Sequence, residues 1–312
     1  MLKITLIHNP KAGEGQAAKS IVRLMTDAGH DVRHRSIKKD WQQLLQEPSD
    51  LVVAAGGDGT VRQVALEAAQ RGLPFAVIPI GTANNIAKSI GVVGDAAELI
   101  ESWSTSSRHE QPFDLGEAEA PWGTERFVEG VGSGLVADLI SREEEIAADG
   151  TLLGRPTDRA LHLLCELARE APLNKWEIRA DGKDLSGDYF AVQVQNIRFV
   201  GPNLPLAAEA FPGDGKLDVV LLGKADRKPL LDYLESRLHL ASGQLPKWRS
   251  ARAREVEITA PAGVRWHLDD RNWPSRKPQG HSVKLKMRCL AGAVTFVAAP
   301  AAAKRPLSAG RG

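Results

Sequence analysis

The chain has 312 residues, which is too long for one ordinary domain and sufficient for two. Its 40 basic and 39 acidic side chains leave a formal net charge of +1, which argues against a nucleic-acid-binding protein, because such proteins usually carry a strongly basic domain. The sequence contains no run of about 20 apolar residues, and this excludes a membrane-spanning helix.

One pattern occurs three times in the first hundred residues. Each copy is a short apolar run that ends in a glycine-containing loop and continues into a stretch with helical spacing of apolar residues. The runs with their loops are LKITLIHNPKAG, DLVVAAGGDGT and LPFAVIPIGT. Strands that alternate with helices predict a parallel sheet covered on both faces, and ligands of such sheets bind at the carboxyl ends of the strands. We therefore predict an α/β domain over residues 1–115 with all three loops at one edge.

The pattern changes after residue 115. Strand-like runs such as KWEIRADGK and HSVKLKMRC are separated by turn signals, which predicts antiparallel pairing. One helical stretch, RKPLLDYLESRLHLAS, interrupts them. We predict a mostly antiparallel β-sandwich domain over residues 116–298. The tail over residues 299–312 is predicted to be disordered because it has too little apolar content to pack.

Cysteine usage and the first residues indicate a cell compartment. Cys165 and Cys289 are far apart and match no metal-ligand spacing, so we interpret them as buried apolar residues in a reducing compartment. The apolar stretch MLKITLIHNP is too short for the core of a secretory signal. We therefore expect a cytoplasmic protein, at most peripheral to the inner face of the membrane.

The loop GGDGT, residues 56–60, has the composition of an anion-binding turn. Glycines between a buried strand and a helix let backbone N–H groups approach a bulky anion, and the positive end of the helix favours phosphate. Asp58 would repel phosphate unless a cation lies between them, and Mg²⁺ meets that need. The alternative is a tight strand-to-helix turn in which Asp58 caps a helix.

Two other motifs nearly match the first loop. GEGQAAKS resembles a P-loop, but Ala18 occupies the place of the second glycine, which the backbone cradle needs. The same letters fit a dinucleotide fingerprint, but the second strand, HDVRHRSIKKD, is basic where that fingerprint requires an acid. Lys19 is then expected on a solvated helix face.

Five motifs together resemble the diacylglycerol kinase catalytic family, which includes sphingosine kinases and bacterial lipid kinases. They are NPKAG (9–13), GGDGT (56–60), PIGTANNIAKSIG (79–91), FDLGE (113–117) and GDGKLDVVLL (213–222), in the family's order and spacing. The resemblance covers residues 3–298. GGDGT alone is shared with NAD kinases and phosphofructokinases, so the ordered set carries the specificity. The implied fold is a phosphofructokinase- or NAD-kinase-like first domain with a second β-sandwich domain, whose last strand returns to pack on the first.

The resemblance implies an ATP site in the first domain. Its candidate residues are Asn9, Lys11, Gly13, Gly56, Gly57, Asp58, Gly59, Thr60, Gly81, Thr82 and Asn84. It also implies Mg²⁺ held by Asp58 through water, with Asp114 in the carboxylate network around it. Asn85 stands where relatives have a second aspartate, which removes one charge. Asp214 is implied as ligand of a structural cation, and the alternative for it is a hairpin Asp-Gly turn.

The sequence departs from the family near its C-terminus. Where the family has Asp-Gly-Glu, with the Glu as catalytic base, this chain has Asp269, Asp270 and Arg271. A guanidinium cannot accept a proton at neutral pH. Three alternatives stay open. Asp269 or Asp270 serves as the base, Arg271 pairs with an anionic lipid headgroup, or the chain is a weak or inactive kinase that binds nucleotide for a regulatory purpose.

From these residues we predict an ATP- and Mg²⁺-dependent kinase that transfers the γ-phosphoryl group to a lipid hydroxyl. A lipid substrate requires contact with a membrane surface. The segment LPKWRSARAR, residues 245–254, places a tryptophan among basic residues, which is typical of an anionic interface and also of a solvated loop beside a strand. A homodimer is left open, and no nucleic-acid partner is expected.

Overall fold

The computed structural model describes residues 1–12, 17–92, 94–103, 108–149, 156–239, 243–278 and 282–298. Contacts divide the chain into two compact units. The first unit comprises Met1–Leu115, Phe211–Asp214 and the chain from Ala291 onward, and the second comprises Gly116–Ala210 and Gly215–Leu290. The predicted tail over 299–312 lies outside the described residues, as does Gly13 of the first predicted loop.

The first unit contains a parallel sheet whose strands are joined through helices. Its strands are β1 (Lys3–His8), β2 (Asp31–Ser36), β3 (Leu51–Gly56) and β4 (Phe75–Pro79), and its helices are α1 (Ala17–Asp27), α2 (Asp58–Arg71), α3 (Asn85–Ser89) and α4 (Ala96–Ser102). The strand order is β4-β3-β1-β2, with parallel pairing throughout. Every residue of β3 is buried, as expected for a central strand with both faces covered.

The second unit is a sandwich of antiparallel strands with helices on one outer face. Its helices are α5 (Leu135–Ala148), α6 (Pro156–Glu170) and α7 (Arg227–Leu238). Its strands are β5 (His109–Ala120, which begins in the first unit), β6 (Gly123–Phe127), β7 (Gly130–Gly134), β8 (Asn174–Ala180), β9 (Lys183–Asp184), β10 (Gly187–Gln195), β11 (Leu217–Gly223), β12 (Arg249–Ala253), β13 (Glu255–Ala260), β14 (Trp266–Leu268), β15 (Arg271–Asn272) and β16 (Val283–Ala298, which ends in the first unit).

The second unit has two apolar cores, and alternate side chains of one strand contribute to each of them. Along β11, Leu217, Val219 and Leu221 face the layer that contains β8 and β13, while Val220 and Leu222 face the helices. A period of two places successive side chains on opposite faces of a sheet, so one strand serves both cores.

The predicted fold class is confirmed. The parallel first part and the antiparallel second part occur where the sequence indicates them, and β16 ends beside β4, where Phe296 pairs with Phe75 in parallel. The predicted helix over 227–242 is α7, which ends at Leu238. Among the described helices, none combines the length and the apolar character that crossing a bilayer requires.

Candidate functional site

The turns that follow β3 and β4 touch each other through their glycines. A Cβ added to Gly81 would lie 2.3 Å from the Gly57 Cα and 2.9 Å from the Gly57 nitrogen. A Cβ added to Gly57 would lie 3.3 Å from the Gly81 Cα. Neither position accepts a side chain without displacing backbone, so the two turns form a bare surface at the carboxyl edge of the sheet.

Helix α2 begins directly at this surface. Gly57 is its N-terminal cap in extended conformation, and the Thr60 N–H donates to the Gly57 carbonyl oxygen at 2.9 Å. The first N–H groups of a helix lack partners within the helix, and the summed peptide dipoles make this end positive. The glycine surface is therefore suited to an anion such as phosphate.

Asp58 is the first residue of α2 and connects two helix starts. Its Oδ1 accepts the Ile86 N–H of α3 at 2.9 Å, which satisfies a donor of that short helix. The sequence offered capping as the alternative role for Asp58, and the structure shows that the residue does cap, but at a different helix. The same carboxylate adds negative charge beside the glycine surface.

Asn84 shapes the second turn. It has a left-handed backbone (φ 53°), its side-chain oxygen accepts the Gly81 N–H at 3.0 Å, and its amide donates to the Gly81 carbonyl oxygen at 2.8 Å. Asparagine is one of the few residues that tolerate this backbone conformation. The two hydrogen bonds of Asn84 thus fix the position of Gly81, and its contact with a nucleotide stays a prediction.

The remaining predicted nucleotide residues lie at the same edge with differing exposure. Asn9 follows β1, where its N–H donates to Ala55 O at 3.0 Å and its side-chain oxygen accepts the Lys11 N–H at 3.0 Å. Lys11 and Thr82 are exposed. Thr60 is buried, and its side chain fills the space that a Cβ on Gly56 would need, 2.5 Å from Thr60 Oγ1. Its hydroxyl therefore supports the turn.

Two of the residues predicted to bind metal, Asp58 and Asp114, accept backbone N–H groups within the fold. Within the described ranges, no group of three or more His, Cys, Asp or Glu side chains is arranged to hold a metal ion. Asp114 is buried and accepts the Gly292 N–H at 2.7 Å, where Gly292 is left-handed (φ 58°). Asn85 is buried in the first turn of α3. Asp214 follows a tight turn in which its N–H bonds to Phe211 O at 3.3 Å.

Asp269, a candidate base, holds a backbone turn. Its φ is 53°, and Oδ1 accepts three N–H groups, from Val128 (3.1 Å), Glu129 (2.7 Å) and Gly130 (3.1 Å). Its own N–H donates to Gly130 O at 2.8 Å. A carboxylate so fully engaged by donors is a poor proton acceptor. The structure thus argues against Asp269 as the base and assigns it to the start of β7.

Arg271 has a carboxylate partner that the sequence did not suggest. Its guanidinium donates to Glu125 of β6, and the two side chains are 38% and 40% exposed. Asp270, between Asp269 and Arg271, is exposed. No local signal identifies Glu125, because the two residues are 146 positions apart and only the fold of the second unit joins them.

The proposed membrane segment 245–254 is partly engaged within the second unit. Trp248 packs against the cluster beneath α6 and α7. Arg249 donates to the Tyr189 hydroxyl and lies 5.7 Å from the ring centroid of that tyrosine.

Comparisons with known proteins find similar domains for both units of the chain. The model of the diacylglycerol kinase catalytic domain matches residues 3–118, and that of the YegS C-terminal NAD kinase beta sandwich-like domain matches residues 140–283. A probable lipid kinase YegS-like from Pseudomonas putida is 31% identical over 279 residues, which cover 86% of this chain and 88% of that protein. A diacylglycerol kinase from Mycobacterium tuberculosis is 25% identical over 294 residues, covering 86% and 88%. The structure of a putative diacylglycerol kinase from Bacillus anthracis shares the fold, with a TM-score of 0.70 at 22% identity over 96% of this chain and 98% of that one.

Proposed function

The chain belongs to the diacylglycerol kinase catalytic family, and from this premise we propose that it transfers the γ-phosphoryl group of ATP to a hydroxyl group of a lipid. The family predicted from the five motifs and the predicted enzyme class, a kinase, are confirmed by the relatives named above. The observation that carries the proposal for ATP is the contact between Gly57 and Gly81 at the start of α2.

The residues present fit a triphosphate at this edge. A cradle that any Cβ would fill, at the positive end of a helix of 14 residues, is a backbone site for phosphate oxygens. Gly57 and Gly59 would hold the phosphates through N–H groups, and Gly81 would let them approach closely because it has no side chain. Asn9 and Lys11 follow β1 at the same edge. A bound nucleotide supplies the phosphoryl group. The chain's own part is positioning and charge neutralisation, which dominate phosphoryl transfer.

Magnesium fits as an ion held mainly by phosphate oxygens and water. Mg²⁺ sites in such enzymes commonly use one or two carboxylates together with substrate phosphates. Asp58 is the carboxylate nearest to the glycine surface in sequence, and one of its oxygens is engaged with Ile86. We propose that Asp58 neutralises the cation, directly or through water, and that Asp114 has the structural role described above.

The lipid hydroxyl must lose its proton, and we propose Glu125 as the acceptor. Arg271 cannot accept a proton, and Asp269 is engaged by three N–H groups. Glu125 is half-exposed and lies against Arg271, which orients it. General bases typically supply about 10² to 10⁴ in rate. The lipid acceptor also implies peripheral contact with the cytoplasmic face of a membrane.

Labelled ATP tests the proposal directly. Purified protein is incubated with γ-labelled ATP, Mg²⁺ and vesicles that contain diacylglycerol, a sphingoid base or phosphatidylglycerol. We expect one labelled lipid with the wild type. Asp58→Asn keeps an acceptor for Ile86 but loses the charge, so it should fold normally and transfer at least about 10²-fold more slowly. Tight ATP binding without any labelled lipid would instead favour the nucleotide-binding regulator.

A glycine pair locates the triphosphate. Gly81→Ala forces a Cβ against the Gly57 backbone and should displace the turn by about 1 Å, which is enough to cost about 10²-fold in transfer. Gly223→Ala is the matched control, because its backbone is extended and its new Cβ would meet nothing closer than 3.5 Å. Equal activity of the two variants would place the nucleotide elsewhere.

A further inference from the structure

A cleft in the first unit lies between helices α1 and α4. It is lined by Leu24, Ala28, His30, Ala97, Ile100 and Glu101, around a cavity of about 370 Å³. We call these six residues the α1–α4 cleft. Four of them are apolar, and Leu24 is 36% exposed. A single exposed leucine is common on protein surfaces, but a leucine at the edge of an apolar cleft marks a candidate contact surface.

The buried part of the α1–α4 cleft carries no charge at neutral pH. His30 is buried, and its Nδ1 accepts the Leu2 N–H at 3.4 Å. Burial, and then the N-terminal ammonium group, lower the pKa of His30, so the ring is neutral at pH 7. Ile100 is also buried, whereas Glu101 is exposed. An apolar side chain can therefore enter the cleft without covering a buried charge.

Helices α1 and α4 carry opposite charges on their exposed sides. Lys19 and Arg23 are exposed on α1, whereas Glu98 and Glu101 are exposed on α4. Among the residues that the structure describes, no ion pair joins the two helices, and Arg23 pairs with Asp27 of its own helix at 3.6 Å. Each helix would therefore gain charge partners from a surface that presents the other helix.

A second copy of the chain presents such a surface. In a two-fold dimer both copies use the same patch, so every contact occurs twice. An axis through the cleft places α1 of one copy over α4 of the other, which brings basic side chains over acidic ones. Leu24 of each copy then lies against the cleft of the other. A membrane is the less suitable occupant, because anionic lipid headgroups would repel Glu98 and Glu101.

We propose that the α1–α4 cleft is the interface of a symmetric homodimer, with Leu24 packed in the opposite cleft and Arg23 near the opposite Glu101. A helix is about 10 Å wide, and the 11 residues of α1 span about 16 Å, so the two helices present a face of about 16 by 20 Å. A stable complex buries about 800 Å² per partner, so this dimer is weak and forms at high protein concentration. The inference goes beyond the proposed function, since no step of phosphoryl transfer depends on it.

Sedimentation velocity over a wide range of protein concentrations tests the interface. We expect the mass of the wild type to rise from that of one chain toward that of two. Leu24→Glu places a charge in the opposite cleft and should weaken the dimer by at least about tenfold. Leu173→Glu is the matched control, because Leu173 is 40% exposed and lies in the second unit. Far-UV circular dichroism should be unchanged in both variants, since both leucines are exposed.

Exchanged charges test the arrangement of the helices. Arg23→Glu and Glu101→Lys each bring like charges together in the dimer, so each should weaken it. A mixture of the two variants restores opposite charges across the interface and should dimerise about as strongly as the wild type. A wild type that is monomeric at every concentration, a dimer that Leu24→Glu leaves intact, or a mixture no stronger than its separate variants would overturn the proposal. A monomeric wild type that binds vesicles of phosphatidylglycerol through Leu24 would also overturn it and would assign the cleft to a lipid surface.

Discussion

Asp218 is a buried acid whose replacement by asparagine should stabilise the protein at alkaline pH. It is the second residue of β11 and lies directly opposite Gln195 of β10, so the two side chains share a face of the sheet. Asp218 is only 5% exposed, and the Gln195 Oε1 is buried without a partner among the described residues. Burial, and then the nearby carboxylate of Glu209, raise the pKa of Asp218 to about 7.

The size of the effect follows from this pKa. A carboxyl group whose pKa rises from 3.8 to about 7 on folding binds its proton more tightly in the folded state. The free energy of unfolding therefore falls as the pH rises from about 4 to about 7, and it falls no further above about pH 7. At about 1.4 kcal/mol per pKa unit, the loss has an upper limit of about 4 kcal/mol. Asparagine has nearly the shape of the protonated acid, cannot ionise, and presents an N–H donor toward Gln195.

Urea unfolding at about pH 5 and about pH 8.5 measures this difference. At the lower pH, the free energy of unfolding of Asp218→Asn should exceed that of the wild type by about 1 to 2 kcal/mol; at the higher pH the excess should grow to as much as about 4 kcal/mol. Asp188→Asn, at an exposed site, should follow the wild type at both pH values. A wild type whose stability does not fall with pH would refute the reasoning, and would indicate that a cation such as Arg198 or Arg252 neutralises the carboxylate.

Two further substitutions test structural roles by the same unfolding assay. Asp269→Ala leaves the N–H groups of Val128, Glu129 and Gly130 without their acceptor and should lower the free energy of unfolding by about 3 kcal/mol or more. Asp270→Ala is the control and should change it little. Equal effects of the two substitutions would contradict the role given to Asp269. Gly116→Ala would place a Cβ 1.9 Å from the Phe127 ring and should cost about 1 to 3 kcal/mol, and an unchanged stability would mean that the ring has room to move.

The glycine turns could be predicted from the sequence because each strand, its turn and the following helix are adjacent in the chain. Gly57 and Gly81 must lack side chains because their backbones touch. The alternation of strands and helices likewise predicted a parallel sheet. The order β4-β3-β1-β2 was not predicted, because the apolar character of a run does not show which strands will be neighbours.

Side-chain roles were harder to predict than positions, since each depends on a partner distant in sequence. Asp58 bonds to Ile86, Asp114 to Gly292 and Asp269 to the start of β7, over separations of 28, 178 and about 140 residues. In each case a carboxylate in a family motif accepts backbone N–H groups, which is a requirement of the fold and not evidence of chemistry.

Arg271 lies in a short hairpin whose turn has a left-handed residue. The hairpin is formed by β14 and β15, and Asp269 lies at its turn with φ 53°. The charge is balanced by Glu125, and exposed pairs of this kind contribute at most about 1 kcal/mol. The pair of Arg271 and Glu125 therefore adds little to the free energy of unfolding. Transfer activity that is lost in Glu125→Gln but retained in Asp270→Asn would assign the proton of the lipid hydroxyl to Glu125, whereas the reverse result would assign it to Asp270.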